Sequence, residues 1–275
     1  MIYIGTAGWS YTHWRGTFYP RSVKNELEFY SHYSLLNEIN TTFYRIPSAS
    51  MIERWYRSTP DEFIFSAKLI REITHDLNLK LNSEIITKFF SRMEDLRDKL
   101  KVILIQFPPR FRKTSETLSF LIQLLKKCSI LFSGQLVLEI RDKSWFTEDV
   151  KDLLTDWAVT LAETTILEIP VEYQNKDVPL HYIRLLGDRL VIPDEQLGKF
   201  FLDKKNERIE WTRRLVELNK MYDTIFVLIN NRFSGYAIND AIALHKILTK
   251  ENILVNGFEK TKTYLKRQMS LKDFF

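Results

Sequence analysis

Residues 35–47, LLNEINTTFYRIP, decide how the rest of the chain reads. A short apolar run leads into Glu38, Ile39 and Asn40, two threonines follow, and Pro47 closes the stretch. Alternation along a strand places Glu38 and Asn40 on one face and Ile39 on the other. A carboxylate and an amide turned the same way at a strand end are costly to bury unless something uses them. The stretch therefore predicts one stave of a closed sheet, with Glu38 and Asn40 at its functional end.

The same pattern recurs outward from it. Strands are predicted at residues 2–4, 35–40, 63–68, 102–106, 136–140, 158–162, 181–185 and 225–229. Helical periodicity fills residues 26–33, 50–57, 115–127, 147–156, 207–222 and 235–249. Another helix begins at Ser83 and gathers Ile85, Ile86, Phe89, Phe90, Met93 and Leu96 on one side. Ser50, Ser83 and Thr147 are the expected caps. Residues 164–179 lack a helical period and hold two prolines, so the sixth helix is short or missing. Strand and helix alternate about eight times, which predicts an α/β chain folded as a (β/α)8 TIM-type barrel. Residues 1–256 form the expected barrel domain, and 257–275 a basic tail. No G-x-G-x-x-G or P-loop pattern occurs, against a nucleotide-cofactor sheet.

The 275 residues suit one barrel of roughly 250 residues. Forty Lys and Arg against 35 Asp and Glu give a net charge of +5, which permits a polyanionic partner. The single cysteine, Cys128, excludes an internal disulfide and a multi-cysteine metal cluster, and fits a reducing cytoplasm. No leader pattern opens the chain, and no apolar run approaches the ~18 residues of a membrane span.

Nearly every predicted strand ends in a polar residue: Glu38 and Asn40, Lys68, Gln106, Glu139 with Arg141, Glu163, Arg184, then Asn230 and Asn231. In barrel enzymes strand carboxyl ends converge on the active site. The competing reading is solvated ends or a structural ion-pair network. Two chemistries fit the ring. In one, Glu38, Glu139 and Glu163 hold a divalent metal while Lys68 and Arg184 bind an anion. In the other, two carboxylates act as acid and base without metal. His13 and His75 lie in loops beside these ends and fit either scheme. Gly235 opens the last helix, with Gly187 beside it, as an expected phosphate seat; a simple turn role is the alternative. Trp9, Trp14, Phe43, Tyr44 and Trp145 can stack on bases or sugars, or pack together as a lid.

The blocks IGTAGWSYTHWRGTFYP, EINTTFYRIPS, FSAKLIREITH, KVILIQFPPRF, LEIRDKSWF, YIRLLG and INNRFSGYA resemble the YecE-like family, a domain of unknown function. The resemblance implies a TIM-type barrel with a shared pocket and no established reaction. This chain departs from the family's pattern at Glu163, where Asp is usual, and at Leu186, where His is usual.

The last eight residues carry Gln268, Leu271, Phe274 and Phe275 in the spacing Gln-x-x-aliphatic-x-x-aromatic-aromatic. This resembles a PCNA-interacting peptide. One helical turn would place the three apolar side chains on one face to plug a pocket. The resemblance implies a sliding clamp of archaeal or eukaryotic type as partner. The sequence thus points to a clamp-tethered enzyme acting on DNA, by phosphodiester hydrolysis. The alternatives are a hydrolase or isomerase of a small phosphorylated metabolite, and a catalytically silent clamp adaptor.

Overall fold

The computed structural model describes residues 1–76 and 79–259. Its strands are β1 (Ile2–Ala7), β2 (Leu36–Ile39), β3 (Ile64–Lys68), β4 (Leu100–Gln106), β5 (Gln135–Glu139), β6 (Thr160–Leu161), β7 (Glu163–Thr164), β8 (Leu180–Leu185), β9 (Thr224–Ile229) and β10 (Val255–Asn256). The helices are α1 (Glu26–Ser31), α2 (Ala49–Arg57), α3 (Arg71–Thr74), α4 (Ser83–Met93), α5 (Ser115–Leu131), α6 (Glu148–Asp156), α7 (Lys205–Leu218) and α8 (Ala237–Lys250).

The strand order is β6-β5-β4-β3-β2-β1-β9-β8-β7, with β10 added beside β1. Its two ends, β6 and β7, are halves of one stretch broken only at Ala162, whose amide bonds the Leu138 carbonyl on β5 at 2.8 Å. Counted as one stave, they leave eight, the topology of a TIM-type (β/α)8 fold. The pairings of β1 with β9, β3 with β4, β4 with β5 and β5 with β6 are all parallel. Parallel strands covered on both faces read as continuous apolar runs, as Val102–Ile105 of β4 do, all at 0% exposure. Between β7 and β8 only a 3-10 turn, Val171–Tyr173, appears among the described residues, in line with the missing sixth helix.

The chain divides into two compact units. One holds Glu38–Arg57 and Ile64–Ile183. Its core joins Phe65, Ala67, Val137 and Leu138 of the strands to Ile86, Phe89, Phe90 and Met93 of α4 and Phe120, Leu121, Leu124 and Leu125 of α5. The other holds Met1–Asn37, Ser58–Phe63 and the chain from Arg184. There Ile2 and Ile4 of β1 and Ile225, Val227 and Ile229 of β9 are buried, as are Ala241, Leu244 and Leu248 of α8.

Two of the expected caps move by one or two residues. Asn82, not Ser83, accepts the Ile85 amide at 3.1 Å and starts α4. Ser48, not Ser50, accepts the Met51 amide at 3.2 Å before α2. In each case the capping oxygen belongs to the residue three before the amide it receives, the reach a cap needs. Thr147 stands at the N-cap of α6 without a side-chain cap bond.

Candidate functional site

The strand ends of the Glu38–Ile183 unit carry a hydrogen-bonded polar cluster. Glu38 of β2 is fully buried and accepts the Tyr182 hydroxyl of β8 at 2.9 Å. The same phenol oxygen lies 2.7 Å from Ser66 Oγ on β3. The phenol has one proton, and the carboxylate takes it, so Ser66 is the donor in the second bond. All three residues are at 0% exposure.

Lys68 ends β3 with its Nζ 3.7 Å from the centre of the Phe43 ring. Phe43 is placed by a 3-10 turn, Thr41–Phe43, entered from Asn40, whose carbonyl accepts the Phe43 amide at 3.2 Å. Thr42 ties this turn to the strands, its hydroxyl reaching the carbonyls of Ile39 (2.9 Å) and Lys68 (2.7 Å). Tyr44 beside it is 70% exposed.

His75 packs edge-on to the same Phe43, ring centres 4.7 Å apart. Its Nδ1 lies 2.9 Å from Thr74 Oγ1, and its Nε2 3.5 Å from the amide nitrogen of Gln106 at the end of β4. A neutral ring protonated on Nδ1 donates to Thr74 and accepts from Gln106. Burial first, then the charges of Lys68, Arg141, Arg110 and Arg71, push the imidazole down to about 4. Arg110 also donates to the His75 carbonyl.

Glu139 ends β5, fully buried, and Arg141 sets both Nε and Nη2 at 2.7 Å from its Oε1. Glu163 opens β7; the Gln174 amide donates to it, and His181 Nε2 stands 3.6 Å from its other oxygen. The three glutamates are thus engaged by Tyr182, Arg141 and Gln174 respectively. Among the described residues no three His, Cys, Asp or Glu side chains come together to hold a metal. The three-glutamate metal alternative gains no support from this arrangement: separate organic donors meet the carboxylates. Trp145 is buried, its indole N–H bonds the Phe111 carbonyl at 2.6 Å, and its ring stacks on Phe111 at 4.9 Å. Its packing supports the lid reading over the stacking one.

In the other unit, Arg184 is buried on β8. Asn230 accepts the Arg232 amide at 2.9 Å. The side-chain oxygen of Asn231 accepts both the Trp14 indole N–H and the Ala237 amide, each at 3.1 Å, and its Nδ2 lies 3.5 Å from His13 Nε2. Trp14 is at 0% exposure among Tyr11, Phe18 and Tyr19, so it too is packing rather than platform. Trp9 is half-buried, and its carbonyl accepts the Tyr19 hydroxyl at 2.6 Å. His13 is held below its ordinary value by burial, with Asp194 opposing. A Cβ on Gly187 would stand 1.5 Å from the Arg232 carbonyl oxygen, and one on Gly235, at φ +111°, 2.3 Å from that of Lys199. Close backbone approach accounts for both glycines, and Asn231 already takes the first amide of α8. The expected phosphate seat there gains no support.

Sequence reasoning missed Tyr182, Ser66, His181, Gln174, Arg71 and Arg110. The signal for two of them was alternation: Ser66 precedes Lys68, and Tyr182 precedes Arg184, by two residues on the same strand face. Gln268, Leu271, Phe274 and Phe275 lie outside the described residues.

Fold and strand ends together define an α/β barrel protein whose buried carboxylates are each met by a specific donor. The chain belongs to the family described as "protein of unknown function DUF72", whose profile matches residues 3–263. The UPF0759 protein YunF of Bacillus subtilis is 24% identical over 277 residues, covering 91% of this chain and 96% of that one. The UPF0759 protein YecE of Escherichia coli K12 is 32% identical over 111 residues, covering 40% and 39%. Among solved structures, a DUF72 family protein from Thermotoga maritima superposes with a TM-score of 0.74 at 25% identity, over 90% of this chain and 99% of that one. One from Enterococcus faecalis does so at 0.72 and 21% identity, over 95% and 99%, and shares the fold. The named relatives are bacterial. No helix among the described residues is long and apolar enough to cross a membrane.

Proposed function

We propose that the chain is a hydrolase of phosphate esters that works by acid–base chemistry at the strand ends of the Glu38–Ile183 unit. One observation carries this reading: groups from three successive strand ends, Lys68, Gln106 and Arg141, act on one imidazole, His75. The surrounding cations suit an anionic ester. Binding the anion would offset their charge and raise His75 from about 4 towards neutrality, where it serves as a base. Lys68 and Arg141 would steady the charge that develops on the phosphoryl oxygens.

The terminal Gln268, Leu271, Phe274 and Phe275 favour a second statement, that the hydrolase is tethered to a PCNA-type sliding clamp and meets its ester in DNA. Two assays test these. Hydrolysis of p-nitrophenyl phosphate, of bis(p-nitrophenyl) phosphate and of DNA is followed with and without divalent metal; Lys68→Ala and Glu139→Gln should abolish it. No turnover under any of these conditions removes the hydrolase reading. The clamp is titrated with the full chain and with a chain lacking residues 268–275; equal affinity removes the tether.

A further inference from the structure

Arg71 and His75 are four residues apart, the His75 amide bonding the Arg71 carbonyl at 2.6 Å, so both side chains share one face of the α3 turn. Arg110 arrives from the loop after β4 and grips the His75 carbonyl. The carbonyl is neutral, so the guanidinium keeps its full charge and the rest of its donor fork. Arg71 meets Asp76 at 3.6 Å, but both side chains are about half exposed, so solvent screens the pair. Phe43 carries Lys68 on its face and meets His75 edge-on.

We infer that Arg71 and Arg110, against His75, form a seat for a terminal, dianionic phosphate, the phosphomonoester group. This rests on the phosphate-ester reading and narrows its substrate class. A monoester brings two charges and three equivalent oxygens. The two guanidinium groups can share two of these oxygens and leave the third free, whereas a diester offers one charge and only two oxygens to the same donors. The third oxygen faces the imidazole. Once protonated on both nitrogens, His75 adds its own positive charge to the seat. The monoester can belong to a nucleic-acid end or to a small metabolite.

Inorganic phosphate titrated into the full chain, followed by calorimetry and by the His75 ring signals in NMR, tests the seat. Saturable 1:1 binding is expected, with the His75 midpoint moving up; dimethyl phosphate should do neither. Arg71→Ala and Arg110→Ala should each weaken phosphate binding about tenfold or more, while Arg110→Lys restores part of it. Both side chains are solvent-exposed, and an unchanged melting temperature verifies that the variants fold. Competition by a 5′-phosphorylated oligonucleotide against glycerol phosphate identifies the source. The seat is refuted if phosphate fails to saturate, if dimethyl phosphate binds as well, or if the variants bind like the parent chain. Ester hydrolysis is scored separately: turnover with no phosphate seat overturns only this inference, and a seat with no turnover overturns only the hydrolase.

Discussion

Tyr182→Phe is the sharpest probe of the buried cluster. The substitution keeps the ring and deletes one oxygen, which serves Glu38 at 2.9 Å and Ser66 at 2.7 Å. All three residues are at 0% exposure, so water does not replace the lost partner. A buried hydrogen bond to a carboxylate contributes about 2 kcal/mol and the neutral one about 1, so the variant should lose about 3 kcal/mol. For a chain of this length that lowers the melting temperature by roughly 6–12 °C. Urea unfolding should show an earlier midpoint with an unchanged slope. Ser66→Ala, costly in the parent chain, should cost almost nothing in the Tyr182→Phe background, because its bond is already gone; the expected coupling is about 1 kcal/mol. A total loss below about 0.5 kcal/mol, or strict additivity of the pair, refutes the line as drawn.

The other predictions concern single groups. The His75 ring should titrate near 4 rather than at its ordinary 6.5, read from its Cε1 proton. Its folded value is the lower one, so the unfolded chain binds the extra proton between those limits; the His75 contribution to stability is full above about 6.5 and lost as pH falls towards 4. Asp240, buried on α8, is raised to about 6 by burial, against the pull of Ser234 and Arg208. The sign is opposite: its contribution is full below 3.8 and lost as pH rises through 6, so Asp240→Asn should flatten that part of a denaturation-versus-pH curve. Gly187→Ala drives a Cβ to 1.5 Å from the Arg232 carbonyl and should cost about 3 kcal/mol by chemical denaturation, whereas neutrality would mean that this backbone can yield.

What the sequence shows of this fold follows from burial. Parallel strands hidden on both faces are apolar until they stop, so Lys68, Gln106 and Glu139 mark their own strand ends. The break at Ala162 was not legible, because residues 158–162, AVTLA, hold no Gly or Pro to announce it. The caps slipped because Asn82 and Ser83 are both good cap residues, and only the backbone decides which reaches the third amide. Trp14 and Trp145 looked like platforms because an aromatic residue in a loop carries no mark of whether its N–H is already bonded. For Tyr182 and Ser66 alternation marks the strand face they share with Arg184 and Lys68, but mid-strand residues of ordinary type gain their partners only when distant strands bring them together.

An adaptor that merely kept its strand ends neutral would be expected to balance each charge locally. Glu139 fits that picture, since Arg141 covers it. His75 does not. The charges that act on it are Lys68, Arg141, Arg110 and Arg71, all of one sign. Burial is the first cause of its low value and these cations the second, with Arg141 also paired to Glu139 and Arg71 to Asp76. On the reading proposed above, an anion arriving from solution interacts favourably with the cations and moves the histidine upward. The cations around His75, more than the number of buried carboxylates, are what the hydrolase reading rests on, and phosphate titration decides between it and the adaptor.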